Sequence, residues 1–513
     1  MRAALLALLP MLATTRAAPT VADTEDGRMV LITDTPPSGC LAETYYGTYG
    51  GYGEEHIYIP SGDCLDSKVW AASSGSLIPL SGPAAAVGGE QGRLVWVGQA
   101  GVEGVDNDIR EDWTGIESLS EVALATVPQG MVSSQDGQVV FGDRQVGGGG
   151  LSLLHANSKT MLLHVSSTLL PILDTLLPPH LVPVALPLSP LPRALDDTSA
   201  PGSMATTNEW KTVPPHYARH LGNITRSLKF DAGLDKVLNE LNHDQVRRNV
   251  RWLTGEGPSG ITSRHSFTPG AIKAAHWLKA QTEATGATCQ LEPFLLGFSP
   301  NVICTYPSTT NSSEQVILSA HYDSRGSWGS IVAPGGDDDG SGSGHLLAVA
   351  QAIGKAGVQF EKKVVLAFFA GEEQGLLGSH AHAEKLYNAN ETVLYHVQAD
   401  MLAYHVPGEP LQLGLPESIH LPEATYLLGN LSQLYSPELS IGRTGACCSD
   451  HQSFLSYGYP ASAVFERNGP IADPKYHNTG DVSAREGYDF DQIVSIAKVT
   501  MAALLTVGGW SRA

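Results

Sequence analysis

The spacing of apolar positions divides the chain in two. Up to about Leu170 the apolar residues come in short runs, such as "LVWVG" from Leu94, "QVVFG" from Gln138 and "TMLLHVSS" from Thr160. These runs predict short strands. From about Leu228 the period lengthens. "DQVRRNVRWLTG" and "GAIKAAHWLKAQTEATG" repeat at helical spacing, the second ending at Gly286 as a C-cap would. Strand-like runs follow at 315–320, 364–369, 395–399 and 461–465, with a helical stretch at 345–353 between two of them. Ile493, Ile496, Val499, Ala503 and Val507 then share one face of a closing helix. Alternating strands and helices predict an α/β fold with a mixed, largely parallel sheet and helices on both faces, preceded by a β-rich N-terminal segment.

Between the halves, residues 168–192 are apolar but hold seven prolines, which rules out a membrane helix and favours an extended spacer. No later run is expected to span a bilayer. The start of the chain reads as a signal peptide: Arg2, an apolar stretch from Ala3 to Leu12, and a cut after Ala17. The expected organisation is a signal peptide at 1–17, a β-rich domain of unknown role at 18–170, a Pro-rich linker at 171–205 and a second domain at 206–513. "YYGTYGGYG" from Tyr45 is expected to be a turn-rich surface loop.

Composition narrows the partners. Asp plus Glu number 52 against 31 Lys plus Arg, a net charge of -21, which repels phosphate backbones and argues against nucleic acid. Secretion is supported by Asn-X-Ser/Thr sequons at Asn223, Asn311, Asn390 and Asn430 and by an even count of six cysteines. Cys40 and Cys64 are near neighbours. Cys289 and Cys304 flank a predicted hairpin, and Cys447 and Cys448 adjoin, leaving either a vicinal bridge or free thiols. Six cysteines allow fifteen pairings.

The chemistry collects at strand ends. "VILSAHYDS" ends a strand with His321 and Asp323, "VVLAFFAGEEQG" with Glu372 and Glu373, and "YHVQADM" with Asp400. In open α/β sheets that edge binds ligands. "APGGDDDGSG" puts Asp337, Asp338 and Asp339 between the first two of these strands, and "DPKYHNTGD" adds His477. Burying so many carboxylates costs several kcal/mol for each uncompensated charge. Divalent cations remove that cost, and His, Asp and Glu without thiolates suit zinc, or manganese or cobalt. A calcium loop is disfavoured because its twelfth position is Ala348 where a bidentate Glu is needed. His345 and His380 read as surface or helix residues. No HExxH and no Gly-X-Ser-X-Gly occurs.

Together, "SAHYDS", "APGGDDDGSG", "AGEEQGLLGS", "QADM" and "YHNTGD" resemble, in order, the motifs of the co-catalytic di-zinc aminopeptidases, metallopeptidase family twenty-eight. That family includes secreted bacterial and fungal leucyl aminopeptidases. The resemblance covers about Leu228 to Trp510 and implies a zinc-exopeptidase fold. It also implies two zinc ions per chain: His321 and Asp400 on one, Glu373 and His477 on the other, Asp338 bridging both. Asp323 would orient the His321 ring, and Glu372 would be the general base. Met401 and Phe465 match positions lining the pocket for an apolar first side chain, though either fits a core equally well. The substrate implied is a peptide or protein N-terminus, with no nucleic acid or membrane partner, and the location extracellular. The pattern departs from secreted bacterial relatives where two cysteines stand four apart: here Thr444 takes the earlier position and Cys447 adjoins Cys448. A glutaminyl cyclase-like acyltransferase, a carboxypeptidase using Arg325, Arg443 or Arg467, and a non-catalytic binding ectodomain are the alternatives on the same fold. Because no candidate ligand precedes Leu228, a chain beginning near Ser203 is expected still to bind two metals if it folds.

Overall fold

A computed structural model describes residues 213–512 without a break, and 28–192 except for 38, 51–53, 68–74, 81–83, 85–91, 127–130, 134–138 and 142–149. The proposed signal peptide and the connector beyond residue 192 lie outside the described residues.

The centre is a six-stranded sheet in the order Thr288–Glu292, Asn301–Tyr306, Lys363–Phe369, Gln315–His321, Val393–Ala399, Ala461–Val464. The last four strands are parallel, and the first two join antiparallel. The near-continuous apolar runs follow from burial on both faces. Along Gln315–His321, Val316, Leu318 and Ala320 pack with residues of the helices Pro269–Glu283, Gly340–Ala356 and Phe490–Gly508. Ile317 points the other way, as alternation requires. Strands, helices and the β-rich leading segment all match the sequence expectation.

The helix Phe490–Gly508 corrects one expectation, because it is long and apolar enough by composition to cross a membrane. Its packing shows why that composition arises here: most of it is buried in the core against the sheet.

The second face of the central sheet is where the sequence reading fell short. Ile317, Val365, Ala367 and Phe369 share a core with Phe454 and Leu386 and also with Leu31, Leu41, Tyr45 and Tyr58 from the leading segment. The leading segment is therefore packed into the peptidase-like half. It forms two antiparallel four-stranded sheets, ordered Tyr45–Tyr49, Glu55–Tyr58, Met29–Thr33, Gly75–Pro79 and Leu181–Ala185, Gly92–Gln99, Thr160–Ser166, Leu151–Ala156. The tyrosines expected on a surface loop form a strand, with Tyr45, Tyr46 and Tyr49 buried. Tyrosine suits a half-covered pleated surface, a packing preference that turn signals obscure.

The expected spacer is also folded over its first half. Residues Leu173–Leu176 form a helical turn, and Leu181–Ala185 is a fully buried edge strand paired with Gly92–Gln99. Proline fits because an edge strand has one side that makes no ladder bonds. Asp174 in that turn meets His265 at 3.1 Å, both fully buried, which ties the two halves together. Main-chain bonds from Cys447 to Ala100 and from Ile471 to Gly101 do the same.

All six cysteines pair: Cys40–Cys64, Cys289–Cys304 across the antiparallel register of a hairpin, and Cys447–Cys448. His345, read as a surface or helix residue, lies in the helix Gly340–Ala356 and is buried there, with its Nε2 2.7 Å from Thr500 Oγ1.

Each large apolar side chain left uncovered forfeits about 1.5–3 kcal/mol, and whole domains are stable by only about 5–15 kcal/mol. A chain starting at Ser203 leaves Ile317, Val365 and Phe369 without the part of their shared core that Leu31, Leu41, Tyr45 and Tyr58 supply, so its folding is weakened. Expressed that way, the protein should aggregate or bind a hydrophobic dye. A soluble, cooperatively melting product would contradict the shared core.

Candidate metal centre

Every candidate metal-binding side chain sits at the carboxyl end of a parallel strand or in a loop over that edge. His321 closes Gln315–His321, Glu372 and Glu373 follow Lys363–Phe369, and Asp400 follows Val393–Ala399. Asp338 immediately precedes the N-cap of Gly340–Ala356, and His477 lies in the loop before Phe490–Gly508. All but Glu372, which is half-buried, are buried.

Two groups form with Asp338 in common. His321, Asp338 and Asp400 have ligand atoms within 4.8 Å of one another, and so do Asp338, Glu373 and His477. The two carboxylate oxygens of Asp338 divide between them: Oδ1 lies 3.2 Å from His321 Nε2, and Oδ2 lies 3.2 Å from His477 Nε2. Asp400 Oδ1 is 3.5 Å from His321 Nε2, and Glu373 Oε2 is 3.4 Å from His477 Nε2. Zinc bonds of about 2.0–2.2 Å in a tetrahedron put ligands roughly 3.3–3.6 Å apart. The observed separations fit that spacing.

The charge state fits as well. Burial, then the Glu373, Asp400 and Asp450 carboxylates, push Glu372 well above the usual range. Burial and Asp338 do the same to Glu373, and burial and Asp338 raise Asp400. Asp338 is held low despite its burial by the two imidazoles beside its oxygens. Glu373 Oε1 and His321 Nδ1 are buried without a hydrogen-bond partner. Such a cluster is costly as it stands, and divalent cations match its donors, spacing and sign.

The three consecutive aspartates divide the work. Only Asp338 turns into the centre. Asp337 accepts Ala403 N at 2.9 Å and Tyr404 N at 3.1 Å, while Asp339 accepts His321 N, Met401 N and Gly342 N. Asp481 in turn accepts Asp337 N and Asp338 N. Gly342 is required at its place: a Cβ there would stand 2.3 Å from Ala399 O. Asp323 lies 3.5 Å from His321 Nδ1, long for a hydrogen bond, and also accepts Ser266 Oγ, Glu372 N and Glu373 N. It therefore positions the Glu372–Glu373 turn as much as the ring.

His477 is oriented from the leading segment. Its Nδ1 is 2.7 Å from Pro179 O, and an Nδ1–H donated there leaves the Nε2 lone pair facing Asp338 and Glu373. Burial and Arg325 lower its pKa to about 4, keeping the ring neutral. Arg325 donates to the carbonyls of Leu177, Pro178 and Leu181.

A cleft opens over this centre, lined by Asp338, Glu372, Glu373, Asp400, His477, Met401 and Phe465. Sequence reasoning named all of these. It missed Val182, Pro183 and Tyr476, which also line the cleft, as does the Cys447–Cys448 pair. It also missed Asp450, buried and pushed up to about 7 by burial and neighbouring carboxylates. The acid in "CCSDHQSF" was a usable signal for Asp450; nothing local marks Val182 or Pro183.

Residues 301–502 match the model of Peptidase family M28. Over those residues the chain is similar to peptidase family M28. The chain is 32% identical over 220 residues to leucine aminopeptidase 1 of Metarhizium robertsii, covering 40% of this chain and 54% of that one. It is 28% identical over 322 residues to the probable leucine aminopeptidase of Arthroderma otae, covering 60% and 81%. The chain thus spans about half of the first relative's length. In fold it is similar to the LapA aminopeptidase of Legionella pneumophila, with a TM-score of 0.55 at 16% identity, covering 81% of this chain and 98% of that one. That likeness extends beyond the family match into the leading segment.

Outer positioning groups at metal sites typically set affinity by 10–100-fold. Asp481→Ala should therefore leave secondary structure intact while weakening metal affinity roughly that much, read by competition with a chelating dye. Unchanged affinity would show that the Asp338 turn does not depend on Asp481.

Proposed function

We propose that this chain is a secreted aminopeptidase that holds two zinc ions and removes an apolar N-terminal residue. The observation that carries this reading is Asp338, whose two oxygens face the two imidazoles of two separate ligand groups. His321 and Asp400 would hold one ion and His477 and Glu373 the other, with Asp338 shared between the two groups. Bound zinc supplies Lewis acidity toward the scissile carbonyl and makes a water nucleophilic near neutral pH.

The chain's own groups do the rest. Glu372 lines the cleft beside Glu373, and its raised proton affinity suits it to take a proton from water and pass it to the leaving amine. Met401 and Phe465 offer an apolar wall for the first side chain. No Lys or Arg lines the cleft among the described residues, so its negative field favours a substrate α-ammonium and disfavours a C-terminal carboxylate. Arg325 is engaged by carbonyls, Arg467 by Glu103 and Glu409, and Arg443 by Pro416. This argues against a carboxypeptidase. Secretion is supported by the leader-like start, by three disulfides and by the exposure of all four sequon asparagines.

Full-length protein should release leucine from a free leucyl peptide, lose that activity to a chelator, and leave the N-acetylated peptide essentially uncut. Equal cleavage of blocked and free peptides would rule out the aminopeptidase reading.

The adjacent glutamates separate chemistry from metal binding. Glu372→Gln should lower turnover by about 10²–10⁴-fold with metal content unchanged. Glu373→Gln should weaken retention of one ion, with activity partly restored by added zinc. Metal loss on Glu372→Gln alone would exchange the two roles.

A further inference from the structure

The edge strand Leu181–Ala185 belongs to the leading segment, yet it borders the cleft. Its pairing fixes where each main-chain group points. His180, Val182, Val184 and Leu186 turn their hydrogen-bonding groups toward Gly92–Gln99: Ala100 N bonds His180 O, Leu186 N bonds Leu94 O, and the register sets Val182 opposite Gly98 and Val184 opposite Trp96. In an antiparallel pair the alternate residues point outward. These are Leu181, Pro183 and Ala185.

Two of the three outward positions are taken. Leu181 O accepts Arg325 Nη1 at 2.8 Å, and Arg325 lies 3.0 Å from the ring of His477. Ala185 N donates to Gly375 O at 3.1 Å, on the turn that carries Glu372 and Glu373. The strand is thus pinned at both ends to the two turns that bear candidate ligands. Pro183 lies between those pins. It lines the cleft, has no N–H to offer, and its carbonyl accepts no hydrogen bond from any described residue. Val182 beside it packs on Met401.

We propose that Pro183 O is a substrate-binding acceptor, taking the main-chain N–H of the peptide bond that follows the scissile one. This rests on the aminopeptidase reading and deepens it. The scissile N–H is committed to Glu372, which must deliver a proton to that nitrogen, so the next amide is the donor free to reach the strand. With the flanking edge groups Leu181 O and Ala185 N occupied, Pro183 O is the acceptor this stretch of strand offers the cleft. A peptide is held at one point past the cut, and extending it beyond three residues should add little.

The test uses full-length protein with Leu-Gly-Gly and its analogue Leu-Gly-glycolate, in which an ester oxygen replaces that one N–H. A lost hydrogen bond of this kind changes an equilibrium by about three- to tenfold. The expected result is a drop of that size in kcat/KM for the ester, and no comparable gain from Leu-Gly-Gly to Leu-Gly-Gly-Gly. Equal kcat/KM for peptide and ester overturns the proposal. If neither releases leucine, the aminopeptidase reading itself fails. A crystal structure with a tripeptide whose scissile amide is reduced then decides the contact alone: the second N–H within hydrogen-bond distance of Pro183 O supports it, and that N–H on another acceptor or on solvent refutes it.

Discussion

Carboxylates crowded at the buried edge of a sheet are the constraint around which this molecule is arranged. Two unit charges about 4 Å apart still repel by about 4 kcal/mol at an effective dielectric of roughly 20. One such repulsion approaches the whole stability of a domain. Asp338, Glu372, Glu373 and Asp400 line one cleft that no basic side chain lines among the described residues. Their arrangement makes physical sense when cations occupy the points where their oxygens converge with two imidazoles.

The structure limits that strain by giving neighbouring acids a different task. Asp337, Asp339, Asp323 and Asp481 all accept main-chain N–H groups. Each joins two loops over the sheet edge, so negative charge serves as the glue that holds the ligand-bearing turns in register. Burial nevertheless pushes Asp339 well above the usual carboxylate range and Asp481 up to about 8. The triple aspartate is thus one inward ligand flanked by two outward clamps.

The sequence made the site legible because its signals are local. Each ligand candidate follows a strand-like run, and strand ends in parallel sheets converge on one edge. The fold of the second half was legible for the same reason. What stayed hidden depends on contacts between distant segments. Tyr45 reads as a turn residue, and nothing nearby says that it shares a core with Phe369. The prolines around Leu181–Ala185 read as a spacer because the pattern cannot tell an exposed extended stretch from an edge strand whose outward side is engaged elsewhere. His345 illustrates the same limit: a polar residue on a helix reads as exposed until its partner, Thr500, is known. Pro179, which turns His477 toward the centre, lies nearly three hundred residues away in sequence (|i−j| = 298).

The central claim is that paired cations compensate the buried acids, and elemental analysis of the purified full-length protein, read beside its thermal melt, tests it most directly. The account predicts two zinc equivalents per chain and a melting temperature that falls when a chelator removes them and recovers when zinc returns. Metal-free protein that melts at the same temperature before and after zinc addition would contradict it.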